Sequence, residues 1–152
     1  MQEFTAKKLG EVVAFSRIGC EVAERGGAAF VDALGEEVAS DFTSKLKEFA
    51  GTATAHGTET TLEKADKTEV KLRSMMEQYI GDEWDNPVEL LEWLSFFTGS
   101  ASAHWALVHA AAQGESIEDL AVVAKTAKEQ YHTYLHTTIE MLEAEGAKRV
   151  AG

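Results

Sequence analysis

The stretch from Asn86 to Ala112, NPVELLEWLSFFTGSASAHWALVHAAA, constrains this chain more than any other. Asn86 is a good helix N-cap, Pro87 suits the first helical position, and Glu89 stands three residues after the cap. Beyond that start only Glu89 and Glu92 are formally charged. Trp93, Phe96, Phe97, Trp105 and Leu107 point in several directions around a helix of this length. A helix that is apolar all round is normally enclosed by other helices. The stretch is therefore expected to be the central helix of a bundle.

The flanking sequence supplies the other helices. Residues 3–25 carry Leu9, Val12, Ser16, Gly19 and Ala23 on one stripe, widened by Phe15, Ile18 and Val22, and Gly26-Gly27 ends the run. Residues 28–50 place Phe30, Leu34, Val38, Phe42, Leu46 and Phe49 on a shared face that Gly35 weakens. The segment Gly51–Gly57, GTATAHG, is a poor helix former, and a break or kink is expected there. Residues 59–80 resume helical spacing, with Leu62, Ala65, Leu72, Met76 and Tyr79 as a heptad-like stripe. After Gln113-Gly114, Ser116 and Asp119 read as the capping pair of a last helix, with Gly146 and Lys148-Arg149 at its end. The short loop before that helix makes the last two helices antiparallel neighbours. The expected architecture is all-α: one domain, residues 1–152, an up-down four-helix bundle, with five helices if the second segment breaks at residues 51–57.

Charge and cysteine usage narrow the partners. The net charge is −12, so nucleic acid and anionic lipid surfaces are disfavoured. The run from Trp93 to Ala112 has no charge, but Ser95, Thr98, Gly99, Ser100, Ser102, His104 and His109 interrupt it and its flanks are acidic. It is too polar for an easy membrane span. Cys20 is the only cysteine, which excludes an internal disulfide and a multi-cysteine zinc site. The N-terminus lacks the apolar run of a signal peptide, and a cytoplasmic location is expected. No phosphate-binding loop, serine nucleophile elbow or zinc-peptidase motif occurs.

Four groups of residues carry candidate chemistry. Glu69 falls on the stripe of its helix, seven residues from Leu62 and from Met76. A buried carboxylate needs a partner or a metal, and Arg73, four residues on, is the obvious partner. His104 shares a stripe with Leu94, Phe97, Ala101 and Val108. Counting back from the loops brings His104, Glu69 and Tyr131 toward the same middle zone. There Gly99 to Ala103, Ala124 and Ala127 are small. Glu69, His104 and Tyr131 would then line a mid-bundle ligand pocket, unless the small residues simply let the helices pack closely. The loop Gly81–Asp85 gathers Trp84 with three carboxylates, either a cation site or acids solvated at a helix N-terminus.

The last helix carries Glu129, His132 and His136. The tetrapeptide Glu129-Gln130-Tyr131-His132 resembles the Glu-x-x-His motif of the ferritin-like four-helix bundles. The resemblance implies a carboxylate- and histidine-bound divalent metal, iron, manganese or zinc, with Glu69 and His104 as inward ligands beside Glu129, His132 and His136. The His132/His136 spacing also resembles the histidine pair of DinB-like bundles, which would make His56 a third ligand. The helical wheel sets Glu129 and His136 about 160–180° from the inward stripe and His132 about 120° from it, at about 100° per residue. Two function classes follow: a metal-binding or oxidoreductase bundle, and a non-catalytic helical module that binds a small molecule or protein. Val122, Trp84, Trp93 and the His/Glu face of the last helix leave surface for a homodimer.

Overall fold

The computed structural model describes residues 1–151, whose regular secondary structure is entirely helical. Six helices follow in order: α1 (Glu3–Gly26), α2 (Ala28–Leu34), α3 (Glu36–His56), α4 (Glu59–Ile80), α5 (Pro87–Gly114) and α6 (Glu118–Ala151). No helix among these residues is long and apolar enough to cross a membrane.

The helix boundaries follow from local chemistry. Gly27 stops α1 with φ 52°, a conformation that costs glycine little. Gly35, at φ 85°, separates α2 from α3. The break expected over Gly51–Gly57 falls only at its last residue. Gly51 sits inside α3, Ala53 is buried, and the helix runs on to His56. It stops because Thr58 caps α4, its hydroxyl accepting the Thr61 N–H while Thr61 accepts the Thr58 N–H in return. Asn86 caps α5 as expected, its side-chain oxygen accepting the Val88 N–H at 3.1 Å. Ser116 does not cap α6: it occupies the connecting turn at φ 59°, and α6 begins at Glu118. Gly146 does not end α6 either, since the helix continues to Ala151.

Cross-helix pairs fix the directions. Arg17 meets Glu69 and Arg25 meets Glu77, so α1 and α4 run parallel. Phe15 meets His104, and Leu90 lies against Gly26, so α5 runs antiparallel to α1. With α3 descending and α6 ascending, the five long helices alternate in direction. The most extensive interface joins α5 to α6, followed by α1 to α4.

The enclosed helix is α1, which corrects the expectation for α5. Leu9, Val12, Val13, Ala14, Phe15, Ile18 and Val22 are all buried around its circumference. It packs on α3, α4 and α5, and Ser16 reaches Tyr131 on α6. Its contact with α4 is close because Gly10 lies directly beneath the Thr61 carbonyl. That approach turns Thr61 and Ala65 inward with Leu72, Met76 and Ile80, and leaves Leu62 and Tyr79 of the expected stripe 42% and 38% exposed. The N-terminus of α1 is held by Glu115, in the α5–α6 turn. Its carboxylate accepts the Gln2 N–H and the Thr5 hydroxyl, and this bonding to Thr5 holds its carboxyl below the usual range.

Candidate functional site

Glu69 sits at the α1–α4 seam rather than inside the bundle. It accepts from Arg73 at 2.7 Å and from Arg17 at 3.1 Å. Arg73 also donates to Glu21, and Arg17 to Asp66. The result is a chain of ion pairs running along the seam. The bonds to Glu69 and Glu21 hold the Arg73 guanidinium pKa above its usual value. Every oxygen of Glu69 therefore has an arginine, in keeping with the paired reading.

His104 is also at a seam, between α1 and α5, and not on the core stripe. Its Nδ1–H donates to the Ser100 carbonyl at 2.8 Å, and its ring lies 4.8 Å from that of Phe15. Its Nε2 faces Glu11 at 3.7 Å, a carboxylate already paired with Lys8. Tyr131, in contrast, is fully buried rather than at a rim, among Phe49, Phe97 and Tyr134. Burial pushes its phenol well above the ordinary tyrosine range. The hydroxyl lies beside Ser16, yet neither group has a hydrogen bond of ordinary geometry. Glu69, His104 and Tyr131 thus have three separate environments and line no common pocket.

The small residues between α5 and α6 serve close packing. Ser102 donates to the Lys128 carbonyl across the interface at 3.0 Å, and Ala101, Ala124 and Ala127 are fully buried. Clefts open elsewhere. One of about 490 Å³ lies between α1, α2 and α3 and includes Cys20, Phe30 and Lys47. Burial raises the Cys20 thiol pKa, so it is a poor nucleophile there. Another, of about 410 Å³, lies between α4 and α5 and is lined by Met75, Gln78, Tyr79, Trp93 and Phe96.

The α6 trio lies on the outside, as the helical wheel indicates: Glu129, His132 and His136 are exposed. The two imidazoles come together, Nε2 to Nε2 at 3.2 Å. Glu129 does not join them, and among the described residues no group of three or more His, Cys, Asp or Glu is placed to hold a metal. His56 is not their third member. It lies at the end of α3, 3.6 Å from Asp119. Trp93 is buried and so adds none of the dimer surface expected of it, and Trp84 is half-buried with Arg25 over its ring at 4.0 Å. Asp82, Glu83 and Asp85 are exposed around Trp84.

The outer face of α5 is a feature that its uncharged sequence does not separate from an enclosed helix. Phe96, Ser100, Ala103, Leu107, Ala110 and Gly114 are all exposed and recur at alternating spacings of four and three. That is the period of a coiled-coil seam. Phe96 is 59% exposed and Leu107 44%, and no charged residue lies between Glu92 and Glu115. The signal in the sequence is an unbroken lack of charge, which enclosure would also produce. No family model, curated protein or solved structure matches the chain.

Proposed function

We propose that this protein is a non-catalytic helical module that acts by docking through the outer face of α5. The observation that carries the reading is the exposed, uncharged seam from Phe96 to Gly114. A surface helix of a lone bundle normally turns charge to water. Large exposed apolar surface marks a binding site. The polar candidates point the same way, because Glu69 is occupied by arginines and His104 is held by Ser100 and Phe15. A cytoplasmic setting belongs to this proposal, supported by the lone, free thiol of Cys20. Elemental analysis of protein purified without added metal tests the reading. Iron, manganese and zinc well below one equivalent are expected, and one or two equivalents of any of them would overturn it.

One observation favours a second reading, metal binding at the exterior of α6. Two imidazole nitrogens bound to one zinc at about 2.0–2.1 Å stand about 3.3 Å apart in tetrahedral geometry. The 3.2 Å between His132 and His136 Nε2 matches that separation. In this reading the ferritin-like resemblance is retained as an up-down core of α1, α3, α5 and α6, with α2 and α4 as additions. His132 and His136 would hold the ion from outside the core, with water in its remaining positions. Zinc titration of the wild type against His132→Ala discriminates: equal binding by both removes this reading.

A further inference from the structure

We propose that the outer face of α5 pairs with the same face of a second copy, antiparallel, about a twofold axis that passes at Ala103. The proposal rests on the docking reading above and names the partner. Three observations carry it.

The first is shape. The seam has two large side chains, Phe96 and Leu107, among Ser100, Ala103, Ala110 and Gly114, with half-buried Gly99 at its α6 edge. Setting Ala103 against its own mate brings Phe96 of one copy onto Ala110 of the other. It also brings Leu107 onto the Gly99–Ser100 backbone. Each projection meets a gap, and the relation is reciprocal, as a twofold interface requires. A parallel, in-register pairing would instead set Phe96 on Phe96 and leave a gap at Ala103.

The second is charge. Two chains of net charge −12 repel, and the seam is a surface on which no carboxylate faces another. The third is the complementarity of the flank. The Ser102–Lys128 bond sets residue 128 of α6 level with residue 102 of α5. The same axis therefore brings Lys125 of one copy opposite Glu129 of the other, and His136 opposite Glu118. All four side chains are exposed in the single chain.

Analytical ultracentrifugation at high micromolar concentration reads the result. The wild type is expected at twice the 16.5 kDa chain mass. The Phe96→Glu/Leu107→Glu variant, altered only at exposed positions, is expected at the chain mass with unchanged helical circular dichroism. In a Cys20→Ser background, Ala103→Cys is expected to form a disulfide-linked dimer under mild oxidation. Val70→Cys, 65% exposed on α4, serves as the control that does not. A monomeric wild type overturns the proposal. A dimer that survives the double substitution, or one in which Ala103→Cys fails to cross-link, overturns the face or the axis. None of these outcomes alters the metal content, so failure here is distinct from failure of the non-catalytic reading.

Discussion

The Tyr134 hydroxyl donates a 2.6 Å hydrogen bond to Asp41 Oδ2, joining α6 to α3 where the two helices touch only sparingly. The acceptor is charged and the donor ring is buried, so the bond is of the stronger kind. Tyr134→Phe is expected to destabilise the fold by about 1.5 kcal/mol, the low end for a hydrogen bond to a charged group, because Asp41 is exposed. A lowered urea midpoint at unchanged slope checks it. An unchanged midpoint would mean that the bond contributes nothing net.

Alkaline pH should be the weak side of this fold. Burial raises the Tyr131 phenol pKa, and burial together with Asp41 raises that of Tyr134. The folded protein keeps both protons at a pH where the unfolded chain has released them. Stability from these groups is thus complete below about pH 10, the ordinary tyrosine value, and falls as pH rises beyond it. Thermal melts from neutral to strongly alkaline pH should decline from about pH 10 in the wild type. They should decline less in Tyr131→Phe/Tyr134→Phe; equal slopes would show that other groups control the loss.

Two glycines should respond in opposite ways to alanine. A Cβ at Gly10 would stand 2.5 Å from the Thr61 carbonyl oxygen and 2.8 Å from Lys64 Cβ, so α4 would have to retreat from α1. Gly10→Ala is expected to cost about 1–3 kcal/mol, as overpacking does. Gly51 lies within α3 with nothing near its missing Cβ. Gly51→Ala is expected to stabilise by about 0.5–1 kcal/mol through helix propensity. Chemical denaturation of both variants reads the two signs directly.

Glu69→Ala removes the shared acceptor of Arg17 and Arg73. With both arginines partly exposed, the expected loss is about 1 kcal/mol, near the upper limit for surface pairs. Paired with Arg73→Ala it should be less than additive, because each change alone already breaks the same contact. An additive double mutant would mean that the two side chains act independently.

Much of this molecule is legible from its residues where the signal is local. The Gly26-Gly27 stop, the Asn86-Pro87 start and the short α5–α6 connection are each decided within a few residues, and the structure keeps all three. So is the outward direction of His132 and His136, which follows from helical geometry alone. The errors arise where a distant partner decides. Leu62 is more apolar than Thr61, yet Thr61 faces inward because Gly10 of α1 brings the two backbones together. Gly51 is a poor helix former, yet α3 continues past it because Ala53 beyond it is buried. Glu69 and His104 fall at registers expected to be core, but Arg17 of α1 pairs with Glu69 and Phe15 of α1 packs on His104, so both stay at the seams. The α5 seam is ambiguous for a related reason: a stretch without charge reads the same in sequence whether its own chain encloses it or leaves one face exposed.

The use of Glu115 as the anchor for the start of α1 sets an order for folding during synthesis. The first turn of α1 is synthesised well before its partner. The carboxylate that binds its Gln2 N–H and Thr5 hydroxyl is made more than a hundred residues later. The α5–α6 hairpin needs only the turn at Glu115–Ile117 and closes through near-neighbour contacts, which are the fast ones. The parallel pairing of α1 with α4 must wait until the whole of α3 has folded back. Closure of the hairpin is therefore also the event that fastens the start of α1, and a nascent chain halted before residue 115 holds α1 with a frayed first turn.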